Sequence, residues 1–188
     1  MKDEKKVGVD LGLNEQEKRI LHDIVKAVVE NKAKGKPVPG VNVDAPILKE
    51  NRGAFVTIKK KGELRGCIGN IEGHGPLYKT VGEMAEAAAF QDPRFMPVTE
   101  REVSDLEYEI SVLTPFKKIK EVNEIEVGKH GIYIKKGWSS GLLLPQVATE
   151  YGWDRQTFLE HTCLKAGLPS SAWRDQNAEI FIFSADIF

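Results

Sequence analysis

The sequence predicts an α+β fold with mostly antiparallel sheets and flanking helices, and three observations carry this. Apolar residues recur at helical spacing in some stretches and alternate at strand spacing in others. The strand-like stretches come in neighbouring pairs separated by helices, in the order α-β-β-α-β-β-β-α-β, which is not the regular β-α-β alternation of a parallel sheet. A chain of 188 residues, 41% hydrophobic and 29% charged, has an ordinary soluble composition and enough length for a real core.

Asn14 offers a side-chain acceptor at a helix start with Glu17 three residues on, and Ile20, Leu21, Ile24, Val25, Val28 and Val29 follow at helical spacing. A first helix over 14–34 results. Gly35, Pro37, Pro39 and Gly40 break it, and the chain to Arg52 reads as an extended connection with at most one helical turn. Residues 53–59 and 63–69 then form a hairpin. A three-residue loop, 60–62, with Gly62 left-handed, pairs Lys59 with Glu63, Ile58 with Leu64 and Val56 with Gly66. Ala54, Val56, Ile58, Leu64 and Ile68 thereby share one face, and Phe55, Thr57, Arg65 and Cys67 the other.

A glycine-rich bend over 70–75 leads to Pro76 at the first position of a second helix. Leu77, Val81, Met84, Ala85 and Ala88 form its buried stripe, and Asp92 and Pro93 stop it. Thr99 and Glu102 make a short capped turn. Leu106, Tyr108, Ile110 and Val112 then alternate with Glu107, Glu109 and Ser111 as a long strand. The charged segment 117–126 reads as a connection. Residues 131–135 and 141–144 make a second hairpin with a loop over 136–140, and a helical turn or two follows from Pro145. Asp154 caps a helix whose stripe is Phe158, Leu159, Thr162, Cys163 and Ala166, closed by Gly167. Residues 178–183 are a final strand.

Lys plus Arg number 27 against 28 Asp plus Glu, for a net charge of −1. No overall positive field recruits nucleic acid, so nucleic acid is not an expected partner. The lysine runs at 59–61 and 117–118 read as solvated turns. Cys67 and Cys163 are the only cysteines. No CxxC pair accompanies them, and residues 1–6 are followed by no apolar stretch long enough for a leader or a span. The expectation is a reducing, cytoplasmic setting and no membrane.

Candidate chemistry centres on 63–70, where a guanidinium, a thiol and glycines interrupt an apolar strand pattern. Cys67 is a candidate nucleophile because Arg65, two residues away on the same face, favours the thiolate; the alternative is a small buried packing residue. His130 or His74 would supply the base from elsewhere in the fold, and Glu109 is a candidate acid or base if buried. Arg65 and Arg94 offer planar forks for carboxylate or phosphate. Gly66 and Gly69 allow a ligand, or another backbone, to approach closely, and Asp92 completes this set. The competing account is an internal pair of Asp92 with Arg94 or Arg65 that clamps a loop to the sheet. Residues 137–141 fit the G-x-S-x-G pattern, but a strand follows instead of the required helix, so Ser139 is read as part of a hairpin tip. The four histidines are scattered without metal-ligand spacing, so neither metal nor cofactor is expected.

Residues 64–69, Leu-Arg-Gly-Cys-Ile-Gly, resemble the signature hexapeptide of the AMMECR domain family, whose bacterial and archaeal members are called AmmeMemoRadiSam system protein A. Further blocks are similar and occur in the family's order: 55–57, 75–77, 92–95, 109–113, 128–131, 143–147 and 165–168. The resemblance runs from about Leu13 to the C-terminus. It implies an N-terminal tail over 1–12 and a single α+β domain over 13–188 in two unequal lobes, with the hexapeptide strand beside the cleft between them. It also implies company, namely a Memo-like protein and a radical SAM protein, but no established reaction. Two functions are therefore expected in competition. One is an enzyme or substrate-binding component for a small anionic molecule at the cleft. The other is an adaptor that receives a partner protein in the same groove.

Overall fold

The computed structural model describes residues 7–188; the first six residues of the expected tail lie outside the described residues. The described residues divide into two compact units, one of residues 12–113 with 187–188 and one of 114–186 with 7–11.

In the unit that begins at residue 12, helix α1 (Glu15–Ala33) starts as its capping signal predicts. The Asn14 side chain accepts from the amides of Gln16 and Glu17, and Glu17 returns a bond to the Asn14 amide at 2.8 Å. Its buried stripe is Leu21, Ile24, Val25, Val28 and Val29. One 3-10 turn, Pro46–Lys49, interrupts the connection that follows. Strands β1 (Ala54–Lys60) and β2 (Glu63–Asn70) form the expected hairpin, and helix α2 (Leu77–Phe90) follows with Pro76 as the residue before its first turn. A 3-10 segment, Glu100–Asp105, precedes strand β3 (Leu106–Leu113). With the C-terminal strand β8 (Ala185–Ile187) the sheet order is β2-β1-β3-β8, and β1 runs antiparallel to both of its neighbours. Ala54, Val56, Ile58, Ile110 and Val112 are fully buried on one face, against which α1 and α2 pack.

The hairpin corrects the expected loop. Its turn is two residues long, Lys61 and Gly62, both left-handed at φ 54° and 81°, a geometry that suits the twist of paired strands. The register then shifts between Ile58 and Lys59: Gly66 lies opposite Ile58, Leu64 lies opposite Lys59, and Arg65 has no partner. Arg65 is therefore the extra residue of a β-bulge. The expected faces survive for residues 66–70, while Leu64, expected on the packed face, is 44% exposed.

In the other unit, strands β4 (Lys117–Ile119), β5 (Gly131–Lys136), β6 (Ser139–Leu143) and β7 (Glu179–Phe183) make a sheet of order β4-β7-β5-β6. Helices α3 (Pro145–Glu150) and α4 (Arg155–Lys165) join it. The core holds Ile125, Ile132, Ile134, Phe158, Leu159 and Cys163, as the α4 stripe predicts. The loop expected over 136–140 is only Gly137 and Trp138, because Lys136 and Ser139 pair. β4 and β8 are strands that the sequence did not predict. Gly8 and Val9 donate backbone hydrogen bonds to Gly128 and Ala185. Among the described residues no helix is long and apolar enough to cross a membrane.

Candidate functional site: the clamped edge strand

β2 is an edge of its sheet, so every second residue turns its N–H and C=O away from β1. Cys67 is one of these. Its outward amide donates to Asp92 Oδ2 at 2.9 Å, and its outward carbonyl accepts from Arg94 Nη2 at 3.2 Å. Asp92 and Arg94 hold each other in two-point fashion, Nε to Oδ1 at 2.9 Å and Nη2 to Oδ2 at 2.7 Å, and the Arg94 amide adds a bond to Oδ1. The loop after α2 thus presents one acceptor and one donor where a neighbouring strand would place its backbone. The Asp92 side chain is 1% exposed and that of Arg94 is 48%. The Arg94 guanidinium, helped by the Cys67 amide, holds the Asp92 carboxyl far below the usual carboxylate range. Of the two readings of Asp92 and Arg94, this geometry is the clamp.

Because Cys67 bonds outward, its pairing with Thr57 is of the close, non-hydrogen-bonded type, and Sγ lies 3.2 Å from Thr57 Oγ1. Glu109 stands opposite Thr57 on β3, so a thiol, a hydroxyl and a carboxylate form a row across three strands. Glu109 also pairs with Lys59 at 3.2 Å. Burial pushes the Cys67 thiol up, more than the Thr57 hydrogen bond and nearby Arg94 bring it down. The group is a thiol, not a thiolate, at neutral pH.

Arg65 does not serve Cys67 as expected. The bulge sends its guanidinium to Glu102, Nε to Oε1 at 3.0 Å and Nη2 to Oε2 at 3.3 Å, and Lys60 joins the same carboxylate. The side chain of Arg65 is 15% exposed; its Nε and Nη2 are engaged by Glu102, while its buried Nη1 has no hydrogen-bond partner among the described residues. The Arg65 guanidinium, helped by the Thr99 amide and hydroxyl and by Lys60, holds Glu102 down to about 2. The glycines are occupied as well. A Cβ on Gly66 would meet the Ala88 carbonyl oxygen at 2.2 Å, and one on Gly69 would meet the Phe55 ring at 2.2 Å. The close approaches that they permit are those of α2 and of a cross-strand aromatic, not of a ligand. His130, the expected base, belongs to the other unit, where Nδ1 accepts from the Glu126 amide at 3.1 Å and burial lowers its pKa. His74 is exposed on the bend after β2. Thr57 and Glu102 are the site residues that sequence reasoning missed as participants. Thr57 was legible as a face-mate of Cys67, and Glu102 as half of a capping box. Among the described residues no cluster of three or more His, Cys, Asp or Glu could hold a metal.

An α+β protein organised around a clamped Leu-Arg-Gly-Cys-Ile-Gly edge strand defines a class, and comparison with known proteins identifies it. The AMMECR1 family model matches residues 22–188, and the chain belongs to this family. A protein of Methanothermobacter thermautotrophicus is 42% identical over 183 residues, covering 94% of this chain and 95% of that one. Protein MK0488 of Methanopyrus kandleri is 50% identical over 150 residues, covering 75% and 72%. The crystal structure of uncharacterized protein PH0010 from Pyrococcus horikoshii is similar at a TM-score of 0.85 and 39% identity, covering 89% of this chain and 88% of that chain.

Proposed function

We propose that this protein is a non-catalytic, partner-binding member of the AMMECR1 family, an adaptor working beside Memo-like and radical SAM proteins. The observation that carries the reading is that the Arg65 charge, the Cys67 thiol and both glycines of 64–69 are engaged within the fold, with only the buried Arg65 Nη1 left unpartnered among the described residues. Arg65 is neutralised by Glu102, both glycines are filled, and Cys67 is a partly buried thiol bonded to a hydroxyl. A nucleophile needs the opposite treatment of its thiol. Large aromatic side chains do stand exposed elsewhere, Trp138 and Tyr151 among them, as partner-binding surfaces use.

The test combines labelling with binding. Iodoacetamide should modify Cys67 in the folded chain about tenfold more slowly than a free-thiol reference at neutral pH. Purified Memo-like and radical SAM proteins from the same organism should include one that binds the chain, with Kd unchanged within about twofold by Cys67→Ser. Labelling faster than the reference, together with binding to neither protein, overturns the reading.

One feature favours a second reading, a binding component for a small anionic molecule. Arg94 is half-exposed, and its Nη1 makes no hydrogen bond to the described residues. Native mass spectrometry of the purified chain, with an anionic adduct that Arg94→Lys releases, would support this alternative.

A further inference from the structure

We infer that the groove between α1 and α2 binds a small amphipathic anion, a molecule with an apolar body that lies over Gly82 and a carboxylate or phosphate head drawn to Lys36 and Lys79. The inference stands apart from the adaptor reading, since none of the residues 64–69 lines this groove. Its walls are the second half of α1, the chain over 35–38 that follows the helix, and the α2 segment 79–86; together they enclose about 720 Å³. That volume suits a small molecule. Ten residues line the groove, well short of the roughly 20–30 a side that a stable protein interface uses.

Gly82 is the residue that calls for a guest. It stands inside the 14-residue helix α2, where glycine is destabilising relative to alanine. Its backbone is not left-handed, so conformation does not require it. Packing does not require it either, because an added Cβ would meet Ile24 Cγ2 at 3.5 Å and Val28 Cγ2 at 3.9 Å, ordinary van der Waals contact. What a side chain at 82 would do is narrow the groove that this residue lines. With the backbone bare, Val28, Pro37, Val38 and Gly82 give the groove an apolar lining over which a hydrocarbon body loses water.

The charges set the sign of the head group. Three lysines and two glutamates line the groove, so positive charge is in excess by one. Lys32 and Glu86 neutralise each other, Nζ to Oε1 at 2.9 Å, and tie α1 to α2. Lys36 and Lys79 are exposed and have no acidic partner among the described residues; Glu83, one turn beyond Lys79, is the single carboxylate left beside them. Exposed lysines hold an anion only weakly through charge. The apolar contact must therefore supply most of the affinity and the lysines the choice of head, which is why the guest has both parts.

Titration of the full chain with decanoate and with decyl phosphate, followed by amide NMR, tests this. Saturable shifts are expected at Val38, Lys79 and Gly82, with a Kd of about 1 mM for the tighter probe, as its number of non-hydrogen atoms allows. Inorganic phosphate, which lacks the body, and decyltrimethylammonium, which has the opposite charge, should each bind about tenfold more weakly or less. Lys36→Glu combined with Lys79→Glu should weaken the tighter probe by about tenfold or more while leaving the melting temperature unchanged, because both side chains are exposed. Gly82→Leu should abolish binding by filling the groove, and the charge-reversed pair decides the matter if the leucine variant does not fold. Absence of saturable shifts at these amides, decyltrimethylammonium binding as tightly as the anionic probes, or affinity that survives the charge reversal overturns the inference.

Discussion

Glu102 is the residue on which most of the local charge converges. It accepts from the Thr99 amide and hydroxyl, from Lys60 and in two-point fashion from Arg65. Its folded pKa of about 2, against 4.5, makes this network a pH-dependent source of stability. A carboxyl whose pKa is lowered on folding stabilises fully above its unfolded value, and that share is lost as pH falls through the folded one. The Glu102 contribution, up to about 3 kcal/mol, is therefore present above pH 4.5 and disappears between 4.5 and about 2. Urea unfolding of wild type and Glu102→Gln should differ most near neutrality and converge below pH 2; a gap that does not change with pH refutes this account. The capping box that holds Glu102 was readable from Thr99 and Glu102 in the sequence. Its second role was not, because it depends on the bulge that turns Arg65 toward it. Asp92 and Arg94, by contrast, left two readings open in the sequence, an anion-gripping pair and an internal clamp, because neither spacing nor residue type says what the Arg94 fork faces.

At the scale of elements, the packing of α2 on β2 separates two glycines that look alike in sequence. Gly66 lies on the strand face under α2, where an added Cβ would meet the Ala88 carbonyl oxygen at 2.2 Å; on Gly82, within α2, it would meet nothing nearer than Ile24 Cγ2 at 3.5 Å. Backbone cannot yield as a side chain can, so Gly66→Ala should cost about 3 kcal/mol or more. Gly82→Ala should stabilise by about 0.5–1 kcal/mol through helix propensity. Opposite shifts in melting temperature check the pair, and a neutral Gly66→Ala would mean that the glycine is kept for something other than helix packing. The elements themselves were largely readable: both hairpins, the three longer helices and the face-sharing of Thr57 with Cys67 follow from periodicity and caps. Both hairpin loops were read as too long. The left-handed conformation at Lys61 is uncommon for a residue with a side chain, and in the second hairpin Lys136 and Ser139 are polar residues that serve as closing strand positions.

The whole chain was readable as α+β with antiparallel sheets, and the two unpredicted strands show where that reading ends. β4 and β8 are three residues each, too short for alternation to register, and partners distant in sequence define them. The C-terminus illustrates the consequence. Phe188 exchanges both backbone bonds with Ile110, at 2.8 and 3.1 Å. Its ring meets His22 edge-on with centroids 5.6 Å apart and lies 5.2 Å from Lys18 Nζ. The last residues of the chain thereby close the unit that begins at residue 12 and occupy the β3 edge that would otherwise be open. Phe188→Ala keeps the backbone bonds but removes the ring that holds them against α1. It should cost about 1–2 kcal/mol, less than for a fully buried phenylalanine. The loss should be local, because the ring anchors only the end of β8. Amide exchange at Ile110 should accelerate well beyond that at Ile134, which lies in the other unit's core. Equal acceleration at both amides would mean that the ring stabilises the chain globally, and no change at Ile110 would mean that the backbone pairing holds the C-terminus without it.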